Sequence, residues 1–299
     1  MQPFPNAWSI VRPAIQDTLD NAKALWKLNL IGALGSYVLV PLVAAPVGFL
    51  AVMGFADTSI AKIGLAILLG LVLGVAALAL AIWYGAHYTL QGLKIVRKEA
   101  GTIDPKASAQ KVPGAVWVAI LQALATGAIP LILLIITAGS SLLALLNTGF
   151  SESATAARGF NVGMGLVGVV GFFAAGIIAV YAGLRLQFSS LSFLDQGKRG
   201  VEALKASWKL TDGRFWKILG VLFVFFLVYL LASFVLGIVI GILGAILGDG
   251  AIGSAITTLV NAVLTSFLFA PTAIFFSVRL YEAVRQLPAL PAQTQTASS

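Results

Sequence analysis

The residues that could do chemistry are few and widely spaced. The chain has one histidine, His87, and no cysteine. Thiolate metal sites, cysteine nucleophiles, disulfide frameworks and redox switches are therefore excluded, and a zinc cluster cannot be assembled. A serine hydrolase needs a serine within reach of a base. Ser140 and Ser141 are expected near the outer end of one apolar segment and His87 near the inner end of another, so the pair is not expected to meet. No Asp, Glu, Lys or Arg stands near the centre of any long apolar run. Proton pumps, voltage sensors and intramembrane metalloenzymes depend on such residues. The paired aspartates of a phosphatidyl-alcohol transferase are absent too. No catalytic residue, metal or cofactor is expected, and the chain reads as a non-enzyme.

What remains is basic and aromatic. Lys205, Trp208, Lys209, Arg214, Trp216 and Lys217 crowd one segment between two apolar runs, a composition suited to anchoring at the membrane interface and contacting anionic headgroups. Arg185 and Arg279 stand at the ends of apolar runs. Either points into the helix bundle or snorkels to the headgroups. In the first case Arg185 would pair with Asp195 or hold a lipid phosphate through its planar fork. His87, beside Trp83, Tyr84 and Tyr88, reads as part of an interfacial belt.

The elements that must position these residues follow from composition. Of 299 residues, 59% are hydrophobic and 10% charged, whereas a soluble domain carries about 25% charged residues. The reading is an all-α, polytopic transmembrane bundle. Uncharged apolar runs predict six spans, about 28–55, 63–93, 116–146, 160–186, 216–248 and 251–280, within one domain 1–285. Asp249 and Gly250 leave only a tight turn between the last two. The first run exceeds a signal-peptide core, so it is predicted to be a span. A small, polar tail, 286–299, is predicted disordered. Of the 19 Lys and Arg, only Lys62 and Arg158 fall opposite the rest, which places both termini in the cytoplasm by the positive-inside rule. The six tryptophans fall on that same side. The basic charge thus reads as topology, not as a nucleic-acid surface.

Each odd-numbered span follows a polar segment, suggesting three helical hairpins, each introduced by a cytoplasmic interfacial helix. Val201, Leu204 and Trp208 share one face while Lys198, Glu202, Lys205 and Lys209 take the other, the pattern of a helix lying in the interface plane. Thr211-Asp212-Gly213 is expected to stop it. Trp8, Val11, Ile15, Leu19, Ala22 and Trp26 keep a similar period, with Pro13 expected to break that helix unless it begins there. Gly237, Gly241, Gly244 and Gly248 have the spacing of close helix contacts, and Pro271 is expected to kink the last span.

The run from Asp195 through Glu202-Ala203-Leu204, Ser207-Trp208-Lys209-Leu210 and Thr211-Asp212-Gly213 to Trp216 resembles the signature of a family of six-span bacterial membrane proteins: the membrane domain of glycerophosphoryl diester phosphodiesterases and its stand-alone relatives. Pro271, Leu280-Tyr281 and Arg285 are similar to the family's closing pattern. The resemblance covers roughly residues 181–285. It implies a bacterial inner-membrane protein but no phosphodiesterase activity, because the enzymatic members carry a separate soluble barrel with histidine and metal-binding carboxylates. The expected function is non-enzymatic: binding or organising lipid, chiefly anionic phospholipid, at the cytoplasmic leaflet, with a membrane-protein partner or a homo-oligomer as further associations. The alternative is a transporter or permease subunit for a small apolar or lipid-like substrate, with Thr257, Asn261 and Thr265 lining a polar cavity.

Overall fold

The computed structural model of the chain describes residues 4–33, 60–99, 101–147, 154–248 and 250–288. Among these, regular structure is helical: α1 (Ala7–Asn21), α2 (26–33), α3 (Ile60–Arg97), α4 (Pro105–Asn147), α5 (Ala154–Leu186), α6 (Ser189–Gln196), α7 (Val201–Thr211), α8 (Phe215–Leu247), α9 (Ala251–Leu264) and α10 (Ala270–Gln286), with a π-turn at Thr265–Phe269 joining the last two. Five described helical segments are long and apolar enough to cross a bilayer: Leu68–Arg97, Pro105–Leu133, Val169–Gln196, Phe215–Leu247 and Ile252–Gln286. The chain is a multi-pass membrane protein. Most of the predicted first span, 28–55, lies outside the described residues, as does nearly all of the tail. Large side chains such as Val170, Ile177, Phe234 and Ile246 are exposed, as they must be where the surrounding solvent is hydrocarbon.

Several boundaries differ from expectation. α4 begins at Pro105, well before the predicted span start near 116, because proline is at ease in the first turn of a helix. α1 begins at Ala7 and runs through Pro13. Asn6 Oδ1 accepts from the Trp8 N–H at 3.2 Å to start it, and Ile10, Val11, Ala14 and Thr18 are buried along one face, which offsets the single backbone bond that proline forfeits. Pro271 has no N–H for the carbonyl of Phe267, and its ring crowds that carbonyl. The wider π-turn just before it accommodates both.

The chain divides into two compact units, residues 1–116 with 216–299, and residues 117–215. In the first unit, α10 is the central element. Phe276 stacks on Phe225 of α8 at 3.9 Å, and Phe269 of the π-turn meets Tyr229 edge-on at 4.9 Å. Tyr88 of α3 meets Phe275 edge-on at 6.4 Å. A Cβ at Gly92 of α3 would lie 3.6 Å from Val278, ordinary contact for two helices in close approach. α1 closes over another side of α10. α2 is tied to α3 by Tyr88 Oη donating to Asn29 Oδ1 at 2.9 Å, both side chains being fully buried. In the second unit, α6 and α7 fold back on the end of α5.

Candidate functional site: the α5–α6–α7 corner and its basic face

α5 ends at Leu186, and its last carbonyls need partners from outside the helix. The chain does not continue as one helix to Leu194. It breaks at Gln187 and Phe188 and restarts as α6. The break is held from α7. Ser207 Oγ donates to the Arg185 carbonyl at 2.8 Å and accepts from the Phe188 N–H at 3.1 Å. Thr211 Oγ1 stands 3.4 Å from the same carbonyl. From α4, Gln122 Oε1 lies 2.6 Å from Ser189 Oγ. Two left-handed glycines, Gly197 (φ 69°) and Gly200 (φ 52°), turn the chain from α6 into α7. Gly213 (φ 64°) ends α7 where the sequence places its stop.

The buried face of α7 is not the apolar one read from the sequence. Ala203, Ser207 and Thr211 are buried at i, i+4 and i+8, small enough to let the helix sit close on the corner. The predicted apolar face is turned outward instead: Val201 is 55% exposed and Trp208 43%, with Leu204 half-buried. Lys205 and Lys209 are exposed on the next sector round, with Glu202 exposed beyond them. α7 therefore has a docking face, an open apolar face and a lysine face in succession.

Arg185 lies over both the Tyr181 and Trp208 rings, its guanidinium carbon 5.4 and 5.0 Å from their centroids. Its Nη1 donates to Asp212 Oδ1 at 3.1 Å and its Nε to Tyr181 Oη at 3.2 Å. The observed carboxylate partner is thus Asp212, on α7's exit, rather than Asp195. Arg279 is likewise paired: its Nε and Nη2 donate to the two oxygens of Asp17 on α1 at 2.5 and 2.8 Å. Arg97 of α3 is paired with Glu282. Trp216 is 78% exposed and Lys217 is exposed, its Nζ 5.9 Å from the Phe4 ring. Arg214 is only 9% exposed, so it stands apart from the exposed set.

His87 is buried rather than at an open belt. Its Nδ1 lies 2.6 Å from Ser108 Oγ, and its ring stacks on Trp83 at 5.8 Å. Ser108 is wholly buried, and this pair joins α3 to α4. Sequence reasoning passed over Ser108 because it stands in the polar stretch ahead of the predicted third span. The side chains of Ser140 and Ser141 lie outside the described residues. Thr257 Oγ1 donates to its own helix at the Gly253 carbonyl, 3.0 Å away, and Asn261 on α9 and Thr265 at the start of the π-turn are exposed. No group of three or more His, Cys, Asp or Glu is gathered among the described residues.

Residues 164–296 match the family model described as the membrane domain of glycerophosphoryl diester phosphodiesterase. The match contains the whole corner, both of its left-handed glycines and the last two apolar helical segments. No curated protein and no solved structure matches the chain.

Proposed function

We propose, from the premise that residues 164–296 are a membrane domain of the glycerophosphoryl diester phosphodiesterase family, that this protein binds anionic phospholipid headgroups at the cytoplasmic leaflet and has no catalytic role of its own. The observation that carries this reading is the three-faced α7. A helix docked through Ala203, Ser207 and Thr211, with Val201 and Trp208 open beside Lys205 and Lys209, has an apolar sector to enter the acyl boundary and an adjacent cationic sector at headgroup height. Trp216 and Lys217 repeat the pairing of exposed indole and ammonium at the start of α8. Arg185, Arg279 and Arg214 serve the fold: the first two are engaged by Asp212 and Asp17, and the third is buried. The exposed lysines carry the headgroup contacts.

The test is native mass spectrometry of the protein extracted gently from its own membrane, with Lys205→Gln, Lys209→Gln and Lys217→Gln combined. Wild type should retain anionic phospholipid, and the triple variant should lose it while its thermal midpoint stays unchanged. Equal retention in both overturns the reading. A stoichiometric small molecule in place of lipid would move the assignment to a transporter or permease subunit for a small apolar or lipid-like substrate.

A further inference from the structure

The two arginine–aspartate pairs of this chain are built differently, and the difference leaves atoms unused in one of them. Arg279 commits Nε and Nη2 to the two oxygens of Asp17, and both side chains are largely covered. Arg185 meets Asp212 through one contact, Nη1 to Oδ1 at 3.1 Å, while its Nε donates to Tyr181 Oη. Arg185 Nη2 and Asp212 Oδ2 have no hydrogen-bond partner among the described residues. Nη2 is not enclosed by protein either. The Arg185 side chain is only 12% exposed, but that of Asp212 is 72% exposed. The guanidinium is held in place by the Tyr181 and Trp208 rings that it covers. A fixed cation and an open carboxylate therefore stand side by side, each with one hydrogen-bonding atom to spare.

The ligand that fits this pair is a short dipole of opposite sense. A lone phosphate on Nη2 would stand beside the Asp212 carboxylate, and a lone ammonium on Oδ2 would stand beside the guanidinium, so each gains one attraction and meets one repulsion. A group that carries both charges a few bonds apart gains two attractions. We propose that the Arg185–Asp212 pair binds the phosphoethanolamine headgroup of a zwitterionic phospholipid. Its phosphate oxygens accept from Arg185 Nη2 and its ammonium donates to Asp212 Oδ2, while the Nη1–Oδ1 bond that ties α5 to the exit of α7 is kept. Ethanolamine is favoured over choline for two reasons. A quaternary nitrogen has no N–H for Oδ2, and the aromatic faces that would attract it are already covered by Arg185. A lipid is favoured over a free ester because Arg185 stands in the last turn of α5, at the end of an apolar helix, beside the open Val201 and Trp208 side chains. The inference rests on the reading that this corner meets lipid headgroups, and it adds a second class of headgroup at atoms the lysines do not supply.

The test reconstitutes the full chain in vesicles with equal amounts of phosphatidylethanolamine, phosphatidylcholine and phosphatidylglycerol of matched acyl chains, and reads by native mass spectrometry which lipids stay bound. Wild type should retain phosphatidylethanolamine over phosphatidylcholine. Asp212→Asn, at a side chain open enough to leave the fold intact, should reduce that preference about fivefold, the scale of one exposed ion pair. Asp212→Glu, which keeps the carboxylate, should preserve it, and neither variant should lose phosphatidylglycerol. The combined Lys205→Gln, Lys209→Gln and Lys217→Gln variant should do the reverse, losing phosphatidylglycerol while keeping the preference for ethanolamine, so failure of one reading is told apart from failure of the other. No preference in wild type, a preference indifferent to Asp212→Asn, or one abolished by the lysine substitutions overturns the proposal. So does full displacement of the lipid by an equimolar amount of soluble phosphoethanolamine, which would make the free ester the ligand.

Discussion

Ser207 tests the corner most sharply. It is wholly buried, and its hydroxyl joins the two sides of the break between α5 and α6, giving a hydrogen bond to Arg185 O at 2.8 Å and taking one from Phe188 N at 3.1 Å. Ser207→Ala removes one oxygen and leaves almost no cavity, so the loss is polar. The Arg185 carbonyl keeps only the longer approach of Thr211 Oγ1 at 3.4 Å, and that hydroxyl already stands 3.0 Å from Trp208 O and 3.1 Å from Ser207 O on its own helix. The Phe188 N–H loses its acceptor on α7. Two net hydrogen bonds at about 1 kcal/mol each predict about 2 kcal/mol of destabilisation, or roughly a 30-fold shift in the unfolding equilibrium. The measurement is reversible unfolding by SDS in mixed micelles, paired with hydrogen exchange resolved over residues 186–190. Exchange should quicken there and not in α8. Ser190→Ala, a half-buried neighbour, should shift stability by no more than about 0.5 kcal/mol. If Ser207→Ala unfolds within 0.5 kcal/mol of wild type and exchange over 186–190 is unchanged, the corner is not held by α7's hydroxyl and the account is wrong.

Other predictions concern helix contacts. A Cβ at Gly32 would lie 2.5 Å from Tyr84 Oη and 2.8 Å from its Cζ, so Gly32→Ala should cost about 1–3 kcal/mol by overpacking. Adding Tyr84→Phe should recover part of that in the same unfolding assay. At Gly253 a Cβ would collide with the backbone carbonyl of Gly248, which cannot swing aside like a side chain. Gly253→Ala should therefore exceed that range and appear as loss of monodisperse protein on size exclusion, whereas Gly241→Ala, with open space around it, should be neutral. Double-mutant cycles should separate the two arginine–aspartate pairs. Arg279–Asp17, bidentate with side chains 28% and 15% exposed, should couple by about 1–2 kcal/mol. Arg185–Asp212, whose carboxylate is 72% exposed, should couple by less than about 1 kcal/mol.

The apolar helices were legible because hydropathy is a property of local composition, and whether a segment can leave water is decided residue by residue. α7 and its end were legible for a similar reason: the 3.6-residue period of Val201, Leu204 and Trp208 is local, and so is the left-handed turn that Gly213 supplies. Which face of α7 docks was not. Hydrophobicity singles out Val201 and Trp208, but in a membrane protein an apolar face need not pack against protein. The protein-facing side is then set by close fit, for which Ala203, Ser207 and Thr211 are the right size.

Pairing was beyond the sequence altogether. Arg185 has Asp195 ten residues away and Asp212 twenty-seven away, and only the break after Leu186 and the return of α7 bring the farther carboxylate into reach. Arg279 meets Asp17 from the opposite end of the chain because α1 folds across α10, and Arg214 is covered although Trp216 and Lys217 just beyond it are exposed. Composition thus determined that this is a helical membrane protein with a basic, aromatic segment beside its spans. Tertiary structure alone decided which cations are engaged in holding helices together and which remain on the surface, because a charge is neutralised by what packs against it, and packing joins residues that lie far apart along the chain.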